Sequence, residues 1–307
     1  MKEFDKRLAE LIRFGRIRVD EPMSAHTTFR IGGPADYYVE PETREELAGL
    51  LKLCRESGQE FMILGNGSNL LVGDGGYRGV MIAPGKAFSG ITVEGDRIRA
   101  GAGAMLAAVA KQALSGCLTG LEFAAGIPGT VGGAVFMNAG AYGSDMSAVL
   151  ETVTVMNRDG AVLELPASSL ELGYRTSCIS REGYVVLEAV MRLQPGEEAS
   201  IRTRMEELAL QRRTKQPLEY PSAGSTFKRP AGYFAGKLIE DAGLRGYRTG
   251  GAQVSEKHCG FVINRGGATA ADVMELCRTV QQKVKEQSGV DLEMEVRVLG
   301  LHRRTDG

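Results

Sequence analysis

Glycine placement constrains this chain more than any other feature. Three glycine-rich segments fall within residues 29–140. They are Phe29-Arg30-Ile31-Gly32-Gly33-Pro34-Ala35, Gly65-Asn66-Gly67-Ser68-Asn69-Leu70, and Gly126-Ile127-Pro128-Gly129-Thr130-Val131-Gly132-Gly133 continuing to Asn138-Ala139-Gly140. Glycine lets backbone N–H groups approach a neighbour with no Cβ in the way, and Asn, Ser and Thr add side-chain donors. Any one segment alone reads as an ordinary turn. All three together favour loops that hold a large phosphorylated ligand such as a dinucleotide. The 41 glycines among 307 residues are about 13%, nearly twice the usual ~7%. They follow no collagen-like period, so low complexity does not explain them.

The length exceeds one average domain, and two or three modules are expected. Lysine plus arginine (37) against aspartate plus glutamate (38) leaves a net charge of −1, which argues against a general binder of nucleic acid or anionic membranes. No run of 18 apolar residues exists, so no membrane span is expected. The opening KEFDKRLAELIRFGRIR reads as a short amphipathic helix rather than a signal peptide. Cys54, Cys117, Cys178, Cys259 and Cys277 are scattered and odd in number, the pattern of reduced cytoplasmic thiols. With only His26, His258 and His302, no metal site is expected.

Strand and helix alternate in the first third. ADYYVEP reads as a strand, Thr43 opens a capping box with Glu46, EELAGLLKLCRES carries a helical apolar stripe, and FMILG reads as a buried strand. ITVEGDRIRA alternates as antiparallel strands with one wet face do. A helix near Met105–Leu114, a hairpin around Asp159-Gly160 and a strand near GYVVLEAVMRL follow. Gln194-Pro195-Gly196 marks a boundary. Beyond it lie a charged helix, EEASIRTRMEELALQRRTK, helices near Phe234–Asp241 and Ala270–Gln287 (the latter capped by Thr269), and a closing strand, LEMEVRVLG. The expected fold class is α+β.

Three familiar signatures fail. Gly101-Ala102-Gly103 opens a helix, but Leu106 stands at the third glycine position of a dinucleotide fingerprint. Gly232-Tyr233-Phe234-Ala235-Gly236-Lys237 is one residue short of a phosphate loop, and Leu238 replaces its hydroxyl. No serine sits in a G-x-S-x-G elbow.

The ordered set LGNGSNLL, EFAAGIPGTVGGAVFMNAGAYG, GYRTS, SAGSTFKRP and EVRVLG resembles the UDP-N-acetylenolpyruvoylglucosamine reductase family, from about Ala25 to Gly300. The resemblance implies a two-lobed FAD-binding domain of the vanillyl-alcohol-oxidase type plus a smaller α+β substrate-binding domain. On that pattern residues 1–85 form the first FAD lobe, 86–195 the second and 196–290 the substrate domain, with the catalytic glutamate's strand in 291–307. It also implies a reaction in which NADPH, as co-substrate, reduces FAD, which then reduces the enolpyruvyl group of UDP-N-acetylglucosamine enolpyruvate to UDP-N-acetylmuramate for peptidoglycan. A cytoplasmic monomer is expected. Some members carry an extra tyrosine loop before the helix that follows the last FAD-domain strand. Gln194-Pro195-Gly196 leaves no room for it, so this chain resembles the shorter class.

The resemblance assigns roles residue by residue. The proton-donor serine matches Ser225 in Gly224-Ser225-Thr226-Phe227-Lys228, the arginine after a tyrosine matches Arg175, and the glutamate of E-V-R matches Glu295. The chemistry explains the residue types. Hydride addition to an enolpyruvyl ether needs its carboxylate steadied, by a guanidinium (Arg175) aided by a carboxyl in protonated form (Glu295), and one such preorganised donor is worth roughly 2.7–4 kcal/mol. The other carbon needs a proton, which a hydroxyl held in line can give. Without the family pattern, Ser225 would read as a turn serine, Arg175 as a surface ion-pair partner and Glu295 as a solvated strand residue.

FAD contacts are expected from Arg30, Ile31, Gly32, Gly65, Asn66, Gly67, Ser68, Asn69, Leu70, Gly126, Ile127, Pro128, Gly129, Thr130, Gly132, Gly133, Asn138, Ala139 and Gly140. Gly129 and Gly132 are expected to bring backbone against the cofactor. Substrate contacts are expected from Lys215, Lys228, Tyr233 and Arg245; from Arg212 to Arg229, Arg212, Arg213, Lys215, Lys228 and Arg229 against Glu219 alone make a local basic excess that suits a diphosphate. A solvated helix end explains Arg212, Arg213 and Lys215 equally well. Tyr142 could face flavin or simply pack. Two other readings stay open: a flavin oxidase that returns electrons to oxygen, and a binding or regulatory protein without turnover.

Overall fold

The computed structural model describes residues 3–300. His302 and the ends of the first and last expected segments lie outside them. Two compact units share the chain, and neither is a continuous stretch. One gathers the residues up to Arg18, then Tyr37–Asn66 and Gly79–Arg212. The other gathers Val19–Asp36, Gly67–Arg78 and the chain from Arg213 onward. These units differ from sequential segments divided at 85, 195 and 290. Apolar burial gives the reason: Phe29, Ile31 and Leu71, far from the C-terminal part in sequence, are buried in one core with Val262, Val273 and Val296.

The first unit has two apolar cores. One packs on a five-stranded antiparallel sheet in the order Val162–Pro166, Leu150–Met156, Val185–Arg192, Arg97–Gly101, Ile91–Glu94. Ile98, Val153, Val155, Ala189 and Met191 bury one face of it against Leu106 and Val109 of the helix Leu106–Ser115 and Val131 and Val135 of the helix Val131–Met137. The alternating ITVEGDRIRA becomes a hairpin whose last pair is Glu94 with Arg97, and Gly95 at its turn has φ +60°. The Asp159-Gly160 hairpin closes on the pair Met156 and Val162, where the Asn157 carboxamide oxygen accepts from the amides of Asp159 and Ala161.

The other core joins the helices Glu3–Leu11 and Arg44–Glu56 through Leu8, Leu47, Leu50 and Leu51. Its sheet runs Arg16–Pro22, Pro34–Glu40, Tyr77–Ile82, Phe61–Ile63. The strand Tyr77–Ile82 therefore lies between the two strands that flank the helix. It pairs parallel with Phe61–Ile63, whose residues are half-buried rather than fully buried as expected.

Thr43 caps its helix by accepting from the Glu46 amide at 3.1 Å. The expected reciprocal half of the box is missing, because the Glu46 carboxylate is used elsewhere. Its Oε1 accepts from the amides of Arg13 (2.7 Å), Phe14 (2.7 Å) and Gly15 (3.3 Å), and its Oε2 from Glu42 (2.8 Å). Burial pushes this carboxyl's pKa up, but the four backbone donors together pull it below the ordinary glutamate value.

The second unit holds a small antiparallel sheet, Arg248–Thr249, Ala252–Val254 and Val262–Asn264, with the helices Ala235–Asp241 and Ala270–Ser288. Leu70–Val72 pairs parallel with Arg297–Leu299. Thr269 and Asp272 complete a capping box on the long helix. Asp74, from another segment, accepts from the first two amides of that helix, Ala270 (2.8 Å) and Ala271 (2.9 Å). Among the described residues no helix is long and apolar enough to cross a membrane, and no group of three or more His, Cys, Asp or Glu could hold a metal ion.

Glu46 supplies a stability prediction with a sign. A carboxyl whose folded pKa is depressed stabilises the fold above its unfolded value, about 4.3, and loses that contribution as pH falls through the folded value. Glu46→Gln should cost about 1–3 kcal/mol at pH 7. Urea melts at descending pH should show the gap between wild type and variant shrinking below about pH 4.3. A pH-independent gap would mean that the charge on Glu46 contributes nothing.

Candidate active site

In the first unit, two glycine-rich loops are tied side by side. The Asn66 side-chain Nδ2 donates to Pro128 O at 2.8 Å, and a Cβ at Gly65 would come within 2.5 Å of the Thr130 hydroxyl. That hydroxyl accepts from the Gly133 amide, capping the helix Val131–Met137. Gly65, Asn66, Gly126, Pro128 and Gly133 are exposed. The amides of Gly65, Asn66 and Gly129 donate to no group of the described chain. No acidic residue occurs in 123–144. Free backbone donors beside exposed glycines, with no nearby carboxylate, fit a phosphate-bearing cofactor such as FAD.

Other expected cofactor contacts are spent on the protein itself. The Gly132 amide bonds to Ala102 O at 2.8 Å, and a Cβ there would meet the Ala102 side chain at 3.0 Å, so this glycine packs protein on protein. Ala139 packs against the first core, and a Cβ at Gly140 would strike Asp145. The second segment is divided at the unit boundary after Asn66. In the second unit, Gly67 (φ +59°) lies so close to His26 O that a Cβ would sit 2.1 Å from it. Ile31 is buried in the core, and Gly32 is pressed between Met23 and Val72. Arg30 is exposed with φ +55°. Ser68 is half-buried, and Leu70 sits in the strand paired with Arg297.

Arg175 rides on a strained turn in the first unit. Its φ is +58°, and reciprocal backbone bonds join Gly173 and Thr176 at 3.1 and 3.3 Å. Its Nη2 donates to Gly140 O at 3.3 Å, and its guanidinium lies 5.0 Å from the Tyr174 ring centre. Asn138, expected to touch cofactor, instead holds this turn. It is 2% exposed with φ +43°. Its Nδ2 donates to Gly173 O at 3.0 Å, and its Oδ1 accepts from the Ser147 amide at 3.0 Å. Ser177 Oγ donates to Phe136 O at 2.8 Å, a second stitch between the same segments. Tyr142 is 38% exposed, its hydroxyl donating to Leu208 O at 3.4 Å.

Ser225 and Glu295 are neighbours in the second unit. Thr226, 2% exposed, is fixed on three sides: its amide donates to Gly260 O (2.9 Å), its hydroxyl accepts from the Val262 amide (2.9 Å), and its carbonyl accepts from the Glu295 amide (2.8 Å). Phe227 opposes Met294, and the Lys228 amide bonds to Glu293 O. Gly224, at φ +76°, turns the chain into this arm, and Ser225 is exposed. Asn69, also an expected cofactor contact, uses its Nδ2 to hold Glu295 O at 3.1 Å, while its carbonyl accepts from Arg297 at 3.0 Å.

The expected substrate contacts are less gathered. Lys228 pairs with Glu293. Arg245 pairs with Glu240 at 2.6 Å and also donates to Glu256 O; its exposed guanidinium is held by the protein. Tyr233 is exposed, its carbonyl accepting from Arg229 at 3.3 Å. Lys215 is exposed at the end of the helix Glu198–Lys215. What sequence reasoning missed is the holding role of Thr226 and Asn138. Nothing in a local pattern distinguishes a buried bridging hydroxyl or carboxamide from an exposed one.

Asn138 separates backbone from side chain. Glycine adopts its left-handed conformation freely, so Asn138→Gly removes only the two side-chain bonds. It should still destabilise the protein by about 1–3 kcal/mol in chemical denaturation. An unchanged or raised stability would show that the bonds to Gly173 and Ser147 contribute nothing.

Known proteins resemble this chain over nearly its full length. Residues 216–299 match the family described as UDP-N-acetylenolpyruvoylglucosamine reductase, C-terminal domain, and residues 35–166 match the FAD binding domain family. A UDP-N-acetylenolpyruvoylglucosamine reductase of Clostridium perfringens (strain SM101) is 54% identical over 298 residues, covering 97% of this chain and 98% of that protein. One of Clostridium botulinum (strain Hall) is 52% identical over 299 residues, covering 97% of each. The crystal structure of UDP-N-acetylenolpyruvylglucosamine reductase from Thermus caldophilus shares 38% identity with a TM-score of 0.81, over 94% of this chain and all of that one. With relatives more than half identical along almost every residue, the chain belongs to the UDP-N-acetylenolpyruvoylglucosamine reductase family.

Proposed function

We propose that the protein is an FAD-dependent oxidoreductase that uses NADPH to reduce UDP-N-acetylglucosamine enolpyruvate to UDP-N-acetylmuramate, a step of peptidoglycan precursor synthesis. What carries the reading is the 2.8 Å bond from the Glu295 amide to Thr226 O, which makes neighbours of two residues seventy positions apart that the family pattern pairs. Bound FAD supplies hydride transfer, from NADPH to the enolpyruvyl double bond. Asn66, Gly65 and the loop Gly126–Thr130 would hold it by backbone donors in the first unit.

Ser225 donates the proton that the substrate carbon requires. Its hydroxyl is exposed on an arm whose backbone Thr226 fixes, so it is positioned without being buried. The family pattern gives Arg175, aided by Glu295 in its protonated form, the task of steadying the charge that grows on the substrate carboxylate, and Arg175 sits on a turn made rigid by Asn138. Lys215, Lys228, Tyr233 and Arg245 are assigned to the nucleotide-sugar, Lys215 foremost because its cation is not committed to a carboxylate among the described residues. The protein is read as a cytoplasmic monomer; its five cysteines are unpaired thiols.

The test separates two half-reactions. Reduction of bound flavin by NADPH requires no proton delivered to carbon, whereas reduction of the enolpyruvyl group does. In Ser225→Ala, stopped-flow absorbance should show flavin reduction near the wild-type rate and reoxidation by substrate slower by ~10²–10⁴. Equal slowing of both steps would make Ser225 a turn residue without a proton to give.

A further inference from the structure

We propose that Arg212 is an anion-binding residue of the first unit, placed to take a diphosphate beside the loop Gly126–Thr130. The inference rests on the proposed function, because FAD and the nucleotide-sugar both carry that group.

Arg212 lies near the end of the helix Glu198–Lys215 and is half-buried. A Cβ at Gly126 would stand 3.1 Å from its Cδ and 3.3 Å from its Nη1. The guanidinium stem is thus laid directly against the backbone of the residue that opens the loop, a placement that a larger residue at 126 would obstruct. Other arginines of this unit face carboxylates: Arg97 with Glu151 (2.6 Å), Arg99 with Glu188 (2.6 Å), and Arg204 with Glu207 (2.9 Å) on the same helix. Arg212 has no such partner among the described residues, and residues 123–144 contain no acid. The Tyr142 hydroxyl donates to Leu208 O one turn back on the helix and supplies no carboxylate.

A cation withdrawn from water with no counter-charge is costly, and burial accordingly lowers the pKa of this guanidinium. An arriving anion removes that cost. Guanidinium offers paired, planar donors that match phosphate oxygens, and the unspent amides of Gly65, Asn66 and Gly129 belong to the loops beside it. The position of Arg212 against Gly126 favours the flavin's diphosphate over that of the substrate.

The experiment measures binding, not turnover. Flavin-free full-length protein would be titrated with FAD, and the flavin-loaded protein with UDP, for wild type, Arg212→Met and Arg212→Lys. Methionine keeps the stem that packs on Gly126 and removes the charge. FAD affinity should fall about ten- to a hundredfold in Arg212→Met, as for one lost charge-assisted hydrogen bond. Lysine should restore part of it, and added salt should weaken wild type more than the methionine variant. Unchanged FAD affinity with weakened UDP binding would support the same anion site and identify the substrate's diphosphate as its occupant. If neither ligand binds more weakly, or if lysine is no better than methionine, the inference is overturned. A wild-type protein that binds no FAD would fail at the first titration and sink the functional reading itself.

Discussion

The second unit depends on main chain packed directly against main chain. Two of its three pieces, Val19–Asp36 and Gly67–Arg78, meet at glycines where no side chain can intervene. A Cβ at Gly33 would lie 2.2 Å from Asp74 O, one at Gly76 1.8 Å from Pro34 O, and one at Gly67 2.1 Å from His26 O. Every one of these neighbours is a carbonyl, so a substituted residue could not be accommodated by moving a flexible side chain. Much of the glycine richness therefore serves assembly of the chain with itself. On the proposed function, ligand approach would claim only the exposed remainder around Gly65, Gly126 and Gly133.

Such close seams leave backbone groups that a regular sheet would have satisfied, and short polar side chains take over that work. Asp74 accepts the first amides of the long helix, Asn264 donates to Phe29 O at 3.2 Å, and Asn69 spans Glu295 O. In the first unit Glu46 gathers four amides from two segments. Satisfying these groups offsets a desolvation cost of about 1–3 kcal/mol each. It also fixes the relative position of the joined segments, because a hydrogen bond tolerates little displacement.

Much of this was legible in the sequence where the signal was local. The helices Arg44–Glu56 and Ala270–Ser288 carry apolar stripes and hydroxyl caps, and both hairpins carry turn glycines. What was not legible was pairing at a distance. Periodicity does not say that Tyr77–Ile82 lies between strands on either side of a helix, or that Val19–Asp36 belongs with the C-terminal part. The same limit applies to the site. Ser225, Arg175 and Glu295 could be named from an ordered family pattern. Asn138 looked like a ligand contact because a glycine-rich context hides the carbonyl, Gly173 O, that it serves. Arg212 looked like any cation at a helix end, since Arg213 beside it has the same chemistry and different surroundings.

The pair Ser225-Thr226 shows how burial of one residue presents another. Thr226 turns inward because its hydroxyl has a fixed donor, the Val262 amide, and because its backbone bonds to Gly260 and Glu295 clamp that orientation. Ser225, the residue before it, is exposed, one residue from the backbone of Glu295, while contributing nothing to the clamp. The two hydroxyl residues have separate duties although they are adjacent and chemically alike. On the proposed function, reversing their order would bury the hydroxyl meant to give a proton and expose the one that holds the arm.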